Sequence, residues 1–249
     1  MLRILPLRRP ITRIRAAWAA AFGLVGLCAC AELGAQAIVV DAGTFSLEVS
    51  GQRVGREDFS IRRAPAGALA TFVAQGNVVK GGLRYSVVLN TDSMGVPQTF
   101  RLQTLSAGKE LETVTGEWRR GLWSGRSESA IGESAREFRL PESTVALADE
   151  VVHQIWFVLR GGPDRPVQVL LPRRLELRSA WVEAVGTERM AIGLREFDAQ
   201  HWIIRESRGG LVLQEAWTDA AGRLLRVRVP SESLEALRDE APSETVVRP

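Results

Sequence analysis

The sequence predicts a mainly β fold: a single antiparallel curved sheet or incomplete β-barrel with a short covering helix. Three observations carry this. Apolar and polar residues alternate in short segments along most of the chain, the period of a strand with one wet face. Glycine-bearing turn signals separate those segments closely enough for hairpins, and hairpin-linked strands build antiparallel sheets. One stretch, Leu147 to Leu159, has its apolar residues at helical spacing. So many strands leave edges that must be closed or covered, and a helix lying in the mouth of a curved sheet would do that.

The N-terminal residues read differently from the rest. Arg3, Arg8, Arg9, Arg13 and Arg15 form a basic leader, Ala16 to Leu27 is apolar, and Ala35-Gln36-Ala37 has the small-x-small form of a cleavage site. That order marks residues 1–37 as a signal peptide for export to the periplasm. The apolar run falls short of the ~20 residues of a membrane-spanning helix, and an uncleaved signal anchor is the alternative. Leu27-Cys28-Ala29-Cys30 also resembles a lipobox, with Ala29 as the small residue before a lipidated Cys30. Cleavage there would leave a lipoprotein tethered by diacylglycerol.

The domain is expected over 38–240. Phe45, Leu47 and Val49 share a face, Gly51-Gln52-Arg53 turns the chain, and Val54 to Arg62 returns. Leu69 to Val79 leads to a Gly81-Gly82 hairpin, then Tyr85, Val87 and Leu89 form the next face. Phe100 to Leu105, Leu111 to Trp118, Leu122 to Ser129 and Ala135 to Leu140 complete the first half. In the middle, Val151, Ile155, Trp156 and Leu159 make one helical face, and Asp149-Glu150 suits a helix start. A buried strand competes there, because the run is β-branched and aromatic. The second half resumes with Val167, Val169 and Leu171, then Leu175, Leu177 and Trp181 on one face. Glu188 to Ile192, Arg195 to Glu206, Leu211 to Trp217 and Leu224 to Val229 follow, turning at Gly209-Gly210 and Asp219 to Gly222. Pro230-Ser231 opens a small helix with Leu234 and Leu237 as its contacts, and 241–249 reads as a flexible tail.

Composition excludes several classes. The chain carries a net charge of +3; the leader, with five arginines and Glu32, carries +4, which leaves 38–249 at −1. No basic surface for nucleic acid remains. Both cysteines, Cys28 and Cys30, lie in the leader, so the domain has no disulfide, no cysteine nucleophile and no thiolate metal site. Arginine outnumbers lysine thirty to two, which reflects a GC-rich genome more than a binding role.

The order of features resembles a group of uncharacterised bacterial envelope proteins, a domain of unknown function. Their fold is similar to the half-barrel of the periplasmic lipoprotein carriers. The residues that carry the resemblance are Gly51-x-x-Val54-Gly55 with Phe59; Val152-His153-Gln154 with Phe157-Val158-Leu159-Arg160; Pro172; Gly193; and Trp217-Thr218-Asp219 leading to Gly222-Arg223-Leu224-Leu225-Arg226. It spans most of 40–235 and implies a fold and a compartment, with no catalytic residues to carry over.

No catalytic or metal motif stands out. Gly121-Leu122-Trp123-Ser124-Gly125 lacks the spacing of a nucleophile elbow. Zinc catalysis wants three close ligands, and only Glu150, His153 and His201 offer a set. No cofactor is expected. The candidate ligand-binding residues are Trp156, Trp181, Trp202 and Trp217, wide apolar faces with one polar edge, and Arg173 with Arg174 as a cationic rim for lipid phosphate. The plain alternative is that the tryptophans fill the core and the arginines coat a wet sheet face. The expected function is a non-enzymatic envelope protein that holds a lipid, a lipidated peptide or another apolar ligand in its curved sheet. The alternatives are a structural or assembly factor bound to another envelope protein, or a hydrolase.

Overall fold

The computed structural model describes residues 37–66 and 69–243. The expected signal peptide, Cys30 and the end of the chain beyond Ser243 therefore lie outside the described residues. Seven strands form first-half hairpins with an eighth: β1 (Ile38–Val49), β2 (Gln52–Ala66), β3 (Leu69–Lys80), β4 (Leu83–Thr91), β5 (Pro97–Ser106), β6 (Lys109–Arg119), β7 (Leu122–Ser129) and β8 (Gly132–Arg139). A three-residue β9 (Thr144–Ala146) and a five-residue α1 (Ile155–Leu159) stand between the halves. The second half is β10 (Arg165–Leu171), β11 (Glu176–Ile192), β12 (Arg195–Arg205), β13 (Val212–Thr218), β14 (Leu224–Val229) and β15 (Leu234–Arg238).

The described strands form one fifteen-stranded sheet, ordered from β8 back to β1, then β15 back to β9, and not closed into a barrel. Every neighbouring pair is antiparallel except β9 with β10. The two meanders meet where β1 pairs with β15, Phe45 opposite Arg238 and Val49 opposite Leu234. The inner face follows the period of two: Ile61 opposes Ala74, Leu89 opposes Phe100, and Leu102 opposes Val114, all buried. The hairpins are held by backbone geometry that favours glycine, as at Gly81 and Gly82 with φ of 58° and 80°.

We call the end of the sheet with the Gly81-Gly82 turn the upper rim and the end with the Asp92–Val96 turn the lower rim. The concave side is filled by the chain itself. Residues 144–148 and 151–159 are all buried, and they run from β9 through a loop into α1 (Ile155–Leu159). The helix expected over 147–159 is thus confined to its last five residues. An amphipathic helix needs a wet face, and this segment has none. Its turns are tight instead: the Ile155, Trp156 and Phe157 amides donate to the carbonyls three residues back, at 3.1, 3.2 and 3.0 Å.

Two further expectations change. After Pro230–Glu232, a single 3-10 turn, Ser233 adopts φ of 49° and the chain returns as β15 rather than as a helix. Strand parity then buries Leu234 and Ala236 and leaves Leu237 outside. The Glu188–Ile192 segment is the end of the seventeen-residue β11, bent by a bulge between Ala184 and Gly186. By strand parity Trp181 lies on the face opposite buried Ala180 and Val182, while Leu175 sits in the left-handed turn before the strand.

Candidate functional site

The filling segment is fastened by one carboxylate. Glu57, on β2, is fully buried. It accepts from the Val152 amide at 2.8 Å, the His153 amide at 3.2 Å and His153 Nδ1 at 2.5 Å. Those two amides lie upstream of α1 (Ile155–Leu159), where no helical carbonyl can satisfy them. The His153 ring is stacked 5.6 Å from Phe59 and packs against Gly76, where a Cβ would approach within 2.6 Å of its Cε1. Nδ1 must carry the hydrogen to meet the carboxylate, and Nε2 is buried without a hydrogen-bond partner. Gln154, also fully buried, accepts from the Ala148 amide at 2.8 Å.

Near the upper rim, Glu150 and Glu112 both accept from Arg173, the latter at 2.8 Å. Burial pushes the Glu150 carboxyl above its ordinary range, and the Arg173 charge opposes that only in part. Arg174 pairs with Asp149 at 2.7 Å. The two arginines proposed as a lipid-phosphate rim are therefore already paired with carboxylates of the chain. Glu150, His153 and His201 do not converge: His201 meets Glu215 at 2.9 Å and stacks 4.3 Å from Trp217.

The four candidate tryptophans also part company. Trp156 packs inside the sheet, 5.3 Å from Phe72 and 5.0 Å from Phe157. Trp202 packs against the same core and donates from Nε1 to Thr218 Oγ1 at 2.9 Å. Trp217 belongs to a second small cluster with Ile192, Ala199 and Leu225, and donates to Glu188 at 2.7 Å. Trp181 lies under the Arg208 guanidinium, 5.5 Å from its carbon. They do not line one cavity.

A buried ion pair ties the two halves of the chain together. Asp41 accepts from Arg238 at 2.9 Å and from the Leu224 amide at 3.2 Å, and Arg238 donates to the carbonyls of Ala42 and Leu224. Burial raises the Asp41 carboxyl above its ordinary range, with Arg238 pulling the other way.

Among the recesses of the described residues, two border the filling segment. A pocket of about 190 Å³ near the upper rim is lined by Leu147, Val169, Leu171, Ile204 and Leu213 among others. Ligand sites usually span ~300–1,000 Å³. A pocket of about 440 Å³ opens at the lower rim between Ser93, Met94, Glu142, Val145, Phe157, Arg160 and Arg165. Sequence reasoning named Arg160 only within the resemblance and passed over Arg165. Their one signal is their position, flanking the Gly161-Gly162-Pro163 stop just beyond an apolar segment.

No family model matches the chain, and no curated protein does. Among solved structures, it is similar to a beta-barrel-like protein of Domain of Unknown Function DUF1849 from Brucella abortus, with 8% identity, a TM-score of 0.49, and coverage of 84% of this chain and 100% of that one.

Proposed function

We propose that this is a non-enzymatic exported cell-envelope protein that serves as a scaffold or assembly factor and contacts another envelope protein from outside its sheet. The observation that carries the reading is the occupied concave side. An acyl chain entering there would have to displace Val151, Val152 and Ile155–Leu159, all buried. Burying such side chains is worth ~1.5–3 kcal/mol each, which together reaches the whole stability of an ordinary domain, ~5–15 kcal/mol. The recess of about 190 Å³ near the upper rim, lined in part by Leu147, Val169 and Leu171, is smaller than a usual ligand site.

The contact surface that suits a partner protein is the β8 edge. Gly132–Arg139 pairs with β7 on one side and is almost entirely exposed. Its Glu133, Arg136, Glu137 and Arg139 keep it from self-association. The leader and the resemblance to envelope proteins support a periplasmic location, with the protein free after Ala37, tethered through Cys30 or held by an uncleaved signal.

Photo-crosslinking in cells from Ser134 and Glu137 should trap one recurrent protein partner. Native mass spectrometry of the protein purified from membranes should show no lipid held in the interior. A stoichiometric, tightly held lipid with no crosslinked partner would return the reading to a carrier.

A further inference from the structure

The lower-rim pocket goes beyond the scaffold reading and does not depend on it. Four segments converge there: the β4–β5 turn at Ser93 and Met94, the stretch before β9 at Glu142 and Ser143, the end of α1 (Ile155–Leu159), and the start of β10 (Arg165–Leu171). We propose that this pocket binds a phosphate-bearing amphiphile, with Arg160 and Arg165 holding the anionic group and Met94, Val145 and Phe157 receiving the apolar part.

The two arginines differ from most others in the domain. Among the described residues, no carboxylate lies within ion-pairing distance of either, whereas Arg173, Arg174, Arg205, Arg223 and Arg238 all have one. Arg160 donates from Nη1 to the Ser93 carbonyl at 2.8 Å and lies 4.4 Å over the Phe72 ring. Arg165 donates from Nε to Gly162 at 3.1 Å and from Nη2 to Val158 at 2.6 Å. These contacts fix both guanidinium planes. They use one and two of the five N–H groups that each offers. The remaining donors face an anion without an internal competitor.

Electrostatics agree with that reading. Burial pulls both guanidinium groups below their ordinary range, and the Arg63 charge adds to this at Arg160 while Asp92 offsets it. The unpaired charges stand at a half-dry wall, where an anion recovers the lost solvation. Two guanidinium forks offer more donors than one carboxylate can accept, and the oxygens of a phosphate match them. The apolar requirement comes from three other lining residues: Met94, 77% exposed, and Val145 and Phe157, both buried. A volume of about 440 Å³ admits a head group with a short apolar portion. Glu142, exposed in the same lining, opposes an anion, and its neutralisation should strengthen binding.

Titration calorimetry on the full purified protein tests this with three probes: inorganic phosphate, dihexanoyl phosphatidic acid as a dispersed monomer, and uncharged dihexanoylglycerol. The phosphatidic acid should bind at least tenfold more tightly than either of the others. The Arg160→Gln variant should weaken it tenfold or more, and Glu142→Gln should tighten it several-fold. Met94→Ser should weaken the phosphatidic acid and leave inorganic phosphate unchanged. Glu142 and Met94 are exposed, so their variants report on the site even where an arginine variant misfolds. Equal affinity for dihexanoylglycerol would overturn the anion site. Equal affinity for inorganic phosphate would overturn the amphiphile. Failure of every probe, or indifference to both Glu142→Gln and Met94→Ser, would overturn the proposal as a whole.

Discussion

Replacing Glu57 by glutamine should loosen the segment that fills the sheet. The carboxylate accepts three hydrogen bonds, two from backbone amides and one from His153. A glutamine keeps one acceptor oxygen and presents an N–H2 where the other stood, donor against donor. Hydrogen bonds to charged groups contribute ~1.5–3 kcal/mol each. Removing one member of a buried polar pair typically costs ~3–5 kcal/mol, because the partner stays buried and unsatisfied. For a domain of this size, ~1 kcal/mol moves Tm by ~2–4 °C, so the expected drop is about 6–20 °C. Urea unfolding and calorimetry measure the loss. Brief trypsin treatment should also cut after Arg160 more readily than in the parent, since α1 (Ile155–Leu159) would open before the sheet does. Asp58→Asn is the control: that side chain bonds Thr44 and Arg56 on the wet face and should barely move the midpoint. A loss under about 1 kcal/mol for Glu57→Gln, with no new cleavage, would mean that Glu57 does not fasten the segment.

Gly76→Ala should destabilise the domain by about 1–3 kcal/mol, as overpacking does, because the new methyl would meet His153, which Glu57 prevents from moving; an unchanged urea midpoint would refute this. Glu150 holds its proton more tightly in the folded chain than at its ordinary value of 4.5, chiefly through burial. It therefore adds stability below that pH, and the contribution is lost as pH rises through the folded value. Urea midpoints measured from pH 4 to 7 should show Glu150→Gln gaining on the parent as pH rises, and a flat difference would count against the assignment. Arg173→Ala should cost about 1–3 kcal/mol, less than a fully buried pair because Arg173 is 37% exposed. Arg174→Ala, with one exposed partner, should cost under ~1 kcal/mol, and equal losses would undo the distinction. Metabolic labelling with a radioactive fatty acid should mark the parent and not Cys30→Ser if the lipobox is used; unlabelled protein beginning after Ala37 would show ordinary cleavage.

The strands were legible because their signals are local. Leu122 to Ser129 was read with the same bounds it has as β7, and Asp219 to Gly222 forms the turn its residues suggest, with Asp219 accepting from the Ala221 and Arg223 amides at 2.9 Å. The error at Leu234 and Leu237 shows the limit of such signals. Their spacing of three suits a helix, and only pairing with β1 and β14 selects the strand. The candidate site was less legible. Trp181 and Trp217 looked like pocket residues by type, yet strand parity puts them on the face opposite Ala180, Val182 and Ala216, which belong to the main core. Arg173 and Arg174 looked like free cations because their acids lie on other segments, Glu112 sixty-one residues away and Asp149 twenty-five.

Period-two patterning, turn chemistry and the lack of thiols beyond Cys30 were settled by residue order alone, since each is read directly from the residues. The joining of β1 to β15, the burial of 144–148 and 151–159 within the curve, and the pairing of Glu57 with His153 or Asp41 with Arg238 were decided by the folded chain. Those contacts bridge ninety-six and one hundred and ninety-seven residues. No local pattern encodes them, because a buried charge takes whichever partner the packed sheet brings within reach.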